Sequence, residues 1–491
     1  MKLKLVLIMT VIMTCAYSFA DEYYDDVYYF PGVTSEYQYK GTKYKVEQNK
    51  LTTQVEHMDK LFSNGKPKVL MGHSAGGLKA MAYASLLNQK GKKNEVKGVI
   101  TMGAPLKGFT ALAQGRNYLN RQLGNKINTL TDAAETIVDT GINAVDVVLP
   151  IIMPITQLIP DPRFHYYPGR FTIQGNTIKA KLRYLFGVQL GYMFLERPLE
   201  TVINAGFLGD DFVRDISPKS TFMNNYINPK TTVKTDGYYK TVKRKTGLGY
   251  YEAIWKTKRN CFGWKYSYIA GWKWRDIYKT YQVWVAPTYN YYPRIDKNIP
   301  VGMIVGQGND PLAALDKDIV KNVKIGMEVA TNLLIAAEAW HHVKAGFAYA
   351  SLFFIGQGVQ YTKKAIKCSD ARYIIRNYVS EYGKLLGSTA NDSFITEDSQ
   401  QYGLDKLGGR TISKKYPGGV AKCSSTHFEE PSHKEIWGEG GGARYDKNSS
   451  DESKRQRLKH GSIQKKGILW DFFDDQDWTV YDKDGSVMYE Q

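Results

Sequence analysis

The chain has 491 residues, 43% of them hydrophobic, and a formal net charge of +18 at pH 7. This length and apolar content allow a large buried core in one or two domains and exclude a disordered chain. The four cysteines lack Cys-x-x-Cys spacing, so the sequence carries no zinc signature.

Residues 1–20 predict a secretory signal peptide. Two lysines precede an apolar run over residues 5–13, and small residues follow where a signal peptidase cuts. The run is too short to span a bilayer. We therefore expect a secreted, periplasmic or cell-envelope protein, with Cys15 as a site at which lipid anchoring stays open. In such a protein the positive charge favours an anionic membrane surface as partner, and we expect no nucleic acid.

Predicted strands and helices alternate along the first part of the chain after this segment. Strands are predicted at 27–30, 68–71 and 96–102, and helices at 51–62 and 78–88. This alternation is typical of the α/β class, in which helices pack on a mostly parallel sheet.

The main domain is expected over residues 21–437, and insertions interrupt it. They are a helical cap or lid at 109–213, a Tyr-, Trp- and Lys-rich β insertion at 229–294 and a helical region at 319–366. Residues 438–491 are rich in glycine and then in charge. They predict a flexible linker and a small docked tail.

The predicted nucleophile is Ser74, in the sequence Gly72-His-Ser-Ala-Gly76 between a predicted strand and a predicted helix. A serine hydroxyl is a weak nucleophile, so it needs a neighbouring base and N–H donors for the oxyanion. Glycines on both sides of the serine permit the sharp turn that exposes its hydroxyl.

Residues 54–108 resemble the bacterial triacylglycerol lipase and esterase family of the α/β-hydrolases. The likeness extends through the Ser74 turn to Gly103-Ala-Pro-Leu-Lys-Gly108, where Leu106 replaces the usual His. The resemblance implies an α/β-hydrolase fold with a large helical lid and β-rich insertions. Residues 215–222 resemble the family segment at which the chain returns from the lid.

The same resemblance implies an oxyanion hole. Pro31-Gly32 stands where the family has His-Gly. The implied donors are the N–H groups of Val33 and Ala75.

The catalytic base is expected near the C-terminus, because the chain order of this fold is nucleophile, acid and then His. Of the eight histidines, those that follow both candidate acids are His427, His433 and His460. The sequence around His427 resembles the family's His-Leu-Asp-Glu motif, so His427 is the predicted base and His433 the alternative. His460, in a Lys- and Arg-rich stretch, is expected to be solvated.

Two residues compete for the role of the acid that orients the imidazole. Asp310 follows a predicted strand at 301–305, as a generic acid of this fold does. Asp392, in Asn391-Asp-Ser-Phe-Ile395, resembles the lipase pattern Asn-Asp-Gly-x-Val, with Ser393 in place of Gly. We favour Asp392 and keep Asp310 as the alternative.

No cofactor is required by this chemistry. Some members of the family hold calcium beside the histidine loop, and Asp370 and Glu429 are the residues that the resemblance offers as ligands. A disulfide between Cys368 and Cys423 would close a loop around the segment of the acid and the base.

The sequence therefore predicts a secreted serine hydrolase that cleaves carboxylic esters of lipids, a lipase, esterase or phospholipase. The apolar residues 145–159 suit a lid over an acyl pocket. Two alternatives stay open: an envelope or host-surface binding protein on a hydrolase scaffold, and a thioesterase or peptidase of the same fold.

Overall fold

This computed structural model describes residues 23–32, 37–39, 42–44, 50–109, 116–138, 140, 210–259, 263–314, 317–351, 353–445 and 456–488. The expected signal peptide, Val33 and the apolar residues 145–159 lie outside the described residues. The chain divides into two compact units, one formed by Met1–Pro229 with Pro293–Gln491 and the other by Lys230–Tyr292.

The strands are numbered in chain order. They are β1 Tyr23–Phe30, β2 Tyr37–Tyr39, β3 Thr42–Tyr44, β4 Lys68–His73, β5 Val96–Met102, β6 Lys230–Thr235, β7 Tyr238–Arg259, β8 Lys265–Val285, β9 Thr288–Tyr292, β10 Ile295–Gly306, β11 Gly408–Thr411, β12 Val420–Cys423 and β13 Arg457–Lys459. The strands predicted at the start of the chain are present, and β1 begins earlier than its apolar run indicated.

The helices are also numbered in chain order. They are α1 Leu51–Phe62, α2 Ala75–Gln89, α3 Arg116–Val138, α4 Asp210–Asp215, α5 Lys317–Ala350, α6 Ile355–Arg376, α7 Tyr378–Leu386, α8 Glu397–Gln400, α9 Leu404–Leu407, α10 Lys434–Trp437 and α11 Ile468–Asp474. Among the described residues, none of the helices is long and apolar enough to cross a bilayer.

A seven-stranded sheet forms the centre of the first unit. The strand order is β11-β10-β5-β4-β1-β13, and β12 also pairs with β10. The pairs from β1 through β4 and β5 to β10 are parallel, as are those of β10 with β11 and β12, while β13 is antiparallel to β1. The class is therefore mixed α/β, with a mostly parallel sheet flanked by helices.

Side chains on the central strands alternate between two cores, one on each side of the sheet. Leu70 packs with buried residues of α1 and α2, whereas its neighbours Val69 and Met71 pack with α10 and α11. Both faces of β4 are buried, so this strand is a continuous apolar run rather than an alternating one.

The described residues of the C-terminal segment pack into this core, so the predicted tail is docked and does not stand apart as a unit of its own. In its described residues, β13 extends the sheet beside β1, and Leu469, Phe472 and Phe473 of α11 are fully buried. His460 packs its ring against Tyr481, at 4.2 Å between centroids, instead of being solvated. The many glycines suggested flexibility, but the aromatic residues that follow them cover one face of the sheet.

The described residues on either side of the segment predicted as a cap are hydrogen-bonded to each other. The Phe109 N–H donates to the carbonyl oxygen of Ile216, at 2.8 Å. The Asp215 carboxylate accepts the N–H of Leu51, also at 2.8 Å, and so caps the first turn of α1. Within the expected range 109–213, helix α3 is described, and it packs against α5 and α6. The predicted helical region at 319–366 consists of these last two helices.

The second unit contains the predicted β insertion. Strands β7 and β8 form a long antiparallel ribbon, and β6 pairs antiparallel with β9. Its bounds are Lys230–Tyr292, close to the predicted 229–294.

Candidate active site

Ser74 lies at the turn between β4 and α2, with φ 54° and ψ −128°. Positive φ is unfavourable for a residue with a Cβ, so the turn stores strain that the surrounding packing must hold. The Ser74 N–H donates to the carbonyl oxygen of Met102 at 2.8 Å, which fixes the turn to the end of β5.

The flanking glycines are required by close packing. A Cβ on Gly76 would lie 1.9 Å from the carbonyl oxygen of Phe30, and one on Gly72 would lie 2.3 Å from the backbone of Gly76. The Gly-x-Ser-x-Gly pattern therefore has a steric reason in this fold, as the sequence predicted.

The loop after β1 lies directly beside the serine. A Cβ on Gly32 would come 2.9 Å from the Cβ of Ser74. Ala75 is the first residue of α2, where backbone N–H groups have no acceptor within the helix. Of the two predicted oxyanion donors, Ala75 therefore has a suitable position, and Val33 lies outside the described residues.

His427 and Asp392 form a buried pair. The imidazole Nδ1 of His427 lies 2.7 Å from Oδ2 of Asp392, and Oδ1 of this carboxylate accepts the N–H groups of Phe394 and Ile395 at 2.9 and 2.6 Å. These bonds leave Nε2 as the imidazole nitrogen that faces away from the carboxylate. Ser393 has φ 73°, a conformation that glycine adopts more readily than serine.

The alternative acid and base lie elsewhere. Asp310 accepts the N–H of Leu312 and the hydroxyl of Tyr378, each at 3.0 Å, so it caps a turn and anchors α7. His433 precedes α10, and its carbonyl oxygen accepts the N–H groups of Ile436 and Trp437 in that helix. The structure thus brings Asp392 to His427, and it keeps Asp310 and His433 apart from this pair.

Two further residues of the site were missed by the sequence reasoning. The Nε2 atom of His73, the residue before the nucleophile, lies 2.9 Å from the carbonyl oxygen of His427, and the two imidazole rings are 4.7 Å apart. Oε2 of the fully buried Glu430 lies 3.3 Å from the same His73 nitrogen. These contacts join the nucleophile turn to the histidine loop.

Glu430 occupies a space between strand ends. A Cβ on Gly103 would lie 2.2 Å from Oε2 of Glu430, and one on Gly306 would lie 2.4 Å from Oε1. Burial, followed by the charge of Asp392, raises the pKa of Glu430 well above its ordinary value. Burial also lowers the pKa of His73 to about 4. In both groups burial therefore favours the neutral form.

In the sequence, His73 stands directly before the predicted nucleophile, and this position was a signal that it belongs to the site. Glu430 gave a weaker signal in the sequence. It is one of two adjacent glutamates after His427, and the other, Glu429, is exposed, so the sequence does not show which of the two is buried. Only the glycines at the ends of two strands make room for its carboxyl group.

An aromatic cluster surrounds the imidazole. Phe394 stacks on His427 at 4.8 Å between centroids, and Phe394 also contacts Phe109 and Phe428 at 5.3 and 5.7 Å. Phe428 is 41% exposed, so an apolar surface reaches solvent beside the His427–Asp392 pair.

The two histidines and Glu430 form a compact buried cluster. Among the described residues, His73, His427 and Glu430 are close enough to share an ion. However, His73 Nε2 already lies at hydrogen-bond distance from a carbonyl oxygen, and His427 Nδ1 binds Asp392. Of the proposed calcium ligands, Asp370 is exposed on α6, and Glu429 accepts the N–H and hydroxyl of Thr426.

The cysteine pair is also free. Cys368, in α6, and Cys423, at the end of β12, are both buried thiols, so the disulfide considered from the sequence is not formed.

Comparisons with protein-family models, curated proteins and solved structures gave no match for this chain. Its function is therefore argued from the site itself. Fold alone does not fix chemistry, whereas the positions of the nucleophile, base and acid do restrict it.

Proposed function

We propose that this chain is a secreted serine hydrolase of the α/β-hydrolase fold that cleaves carboxylic esters of lipids. The observation that carries the proposal is the buried His427–Asp392 pair, whose backbone binds His73, the neighbour of the positive-φ Ser74. Nucleophile, acid and base also follow the chain order of that fold.

The proposed reaction is a two-step acyl transfer. His427 Nε2 takes the proton of the Ser74 hydroxyl as its oxygen attacks the ester carbonyl, and the Ala75 N–H stabilises the oxyanion. The ester C–O bond breaks, and the alcohol leaves with the proton from His427. Water then attacks the acyl-enzyme, again with His427 as base, and releases the acid. Asp392 holds the imidazole in the reactive tautomer throughout.

The aromatic cluster supports an apolar acyl group. Phe394 and Phe428 lie beside His427, so an acyl chain near the scissile bond would cover them and remove apolar surface from water. We expect activity to rise with acyl chain length across a series of p-nitrophenyl esters. If the protein instead prefers thioesters or peptides, the proposed substrate class changes, but the proposed catalytic residues stay the same.

The test is covalent labelling of the full chain with a fluorophosphonate, followed by mass spectrometry. We expect one modified serine, Ser74, and parallel loss of labelling and ester hydrolysis in Ser74→Ala. Ser220→Ala is a matched control, since Ser220 is also buried but binds the backbone of Asp215. Labelling that persists unchanged in Ser74→Ala would refute the proposed nucleophile.

A further inference from the structure

The second compact unit concentrates positive charge and exposed aromatic rings. Lys230–Tyr292 contains 13 Lys and Arg against 3 Asp and Glu, which is a net +10 of the +18 of the whole chain. In the β7–β8 ribbon, Tyr251, Trp255 and Trp272 are 64%, 63% and 61% exposed. Apolar surface of this extent indicates a place of interaction.

Strand pairing sorts these side chains onto two faces. Residues paired across an antiparallel ribbon point to the same side, and the side alternates along each strand. We call the part of the ribbon that includes residues 250–256 of β7 the distal ribbon. One side of it consists of three successive pairs, here called the aromatic face: Tyr251 with Trp274, Ala253 with Trp272 and Trp255 with Ile269. The Tyr251 and Trp274 rings are 5.0 Å apart, as this assignment requires.

The opposite side carries the charge. The pairs on this side are Tyr250 with Arg275, Glu252 with Lys273, Ile254 with Gly271 and Lys256 with Tyr268, here called the basic face. Arg275 Nε lies 2.6 Å from Glu252 Oε2, which confirms that these two residues share a side. The distal ribbon is therefore amphipathic.

We propose that the β7–β8 ribbon binds the surface of an anionic lipid bilayer. The aromatic face would lie among the headgroups and upper acyl chains, the depth that Trp and Tyr prefer. The basic face then points away from the bilayer, and its long Lys and Arg side chains would reach round the edges of the two-stranded ribbon to the lipid phosphates. A two-stranded ribbon has unpaired backbone groups at both edges, so it stays in the hydrated interface and does not enter the hydrocarbon.

The separation of charge from aromatic rings favours a bilayer over other partners. A protein that binds single-stranded nucleic acid places basic side chains in the same groove as its stacking rings, whereas the aromatic face holds no charged residue. A second copy of the chain would bring two units of net charge +10 together, which is unfavourable.

The experiment is cosedimentation of the full chain with vesicles of phosphatidylcholine, with and without phosphatidylglycerol. We expect binding that needs the anionic lipid and weakens with salt, and quenching of Trp fluorescence by lipids brominated on the upper acyl chain. Trp255→Ser with Trp272→Ser should abolish the binding. The matched control is Trp340→Ser, which removes an exposed Trp of α5 and should bind like wild type.

Charge is tested separately. Lys256→Glu with Lys258→Glu should weaken vesicle binding at least about tenfold, because each basic residue near an anionic surface adds about 1 kcal/mol. Lys66→Glu with Lys219→Glu makes the same charge change at exposed positions outside the ribbon. It should have a smaller effect. Circular dichroism of each variant checks that it is folded.

Three results would overturn this proposal. They are unchanged vesicle binding by the Trp255 and Trp272 variant, binding to single-stranded DNA without binding to vesicles, and a dimer in analytical ultracentrifugation that this variant dissociates. Ser74→Ala should bind vesicles like wild type, so a failed hydrolase assay and a failed binding assay remain distinguishable.

Discussion

Asp392 contacts His427 twice, through its side-chain carboxylate and through its backbone carbonyl. Oδ2 lies 2.7 Å from the imidazole Nδ1, and the carbonyl oxygen of Asp392 accepts the His427 N–H, also at 2.7 Å. Because both bonds join the same two residues, the acid fixes the position of the base as well as the tautomer of its ring.

Asp392→Asn should lower kcat/KM for p-nitrophenyl butyrate by about 10³- to 10⁴-fold, because the amide stabilises the wrong tautomer and cannot stabilise the imidazolium. Asp310→Asn is the matched control and should keep activity within about threefold, since Asp310 binds Leu312 and Tyr378 instead. An equal loss in both variants would contradict the assignment of the acid.

Glu430→Gln should stabilise the protein increasingly as the pH rises. The pKa of Glu430 is raised in the folded state, so above its ordinary value of 4.5 the unfolded chain loses a proton that the folded chain keeps. Wild-type stability therefore falls with rising pH through this group, and the glutamine removes that loss.

Urea unfolding of both proteins at about pH 5 and about pH 8 should show this gain growing by at least about 1 kcal/mol between the two pH values. Glu429→Gln, at the exposed neighbouring position, should show no such growth. A gain of the same size at both pH values would count against a buried, protonated Glu430.

His73 should make stability fall at acid pH. Its pKa is lowered from 6.5 to about 4 by burial, so between these values the unfolded chain binds a proton that the folded chain does not. Stability therefore decreases as the pH falls from 6.5 towards 4. His73→Asn should flatten this part of the profile in urea unfolding, whereas His342→Asn, at an exposed helical position, should leave it unchanged.

Gly76→Ala should lower the free energy of unfolding by about 3 kcal/mol and reduce ester hydrolysis, because the added methyl group would overlap the backbone of β1. Gly346→Ala supplies the matched comparison. This glycine is exposed in α5 with nothing near its Cβ position, so the substitution should raise stability by about 1 kcal/mol. Urea denaturation measures the free energy of unfolding of both variants. Equal changes in the two would contradict the close packing of the Ser74 turn.

Cys368 and Cys423 should resist alkylation in the folded protein. Burial raises the pKa of each thiol to about 12, so little reactive thiolate is present near neutral pH. Peptide mapping should show iodoacetamide adducts at both sites only after unfolding, with no disulfide-linked peptide in the untreated sample. Rapid labelling of the native chain would show that one of these sites opens.

Features that depend on neighbouring residues could be predicted from the sequence. The glycines around Ser74 predicted a strained turn, because the positive φ of Ser74 and the close approach of Gly72 to Gly76 arise within that turn. The period of the apolar residues predicted the strands and helices up to residue 102, and Asn391-Asp-Ser resembled a lipase pattern. These signals are local, so they do not require the packing of distant residues.

Which distant residues meet depends on the tertiary fold. Asp310 and Asp392 both follow plausible turns, and the return of the chain along β12 brings His427 to one of them. The space for Glu430 arises between glycines of two different strands, and the glycine-rich C-terminal segment concealed a helix that covers the sheet. In each case the deciding interaction joins residues that are far apart in the chain. Their desolvation and packing depend on neighbours in space, which composition and periodicity do not specify.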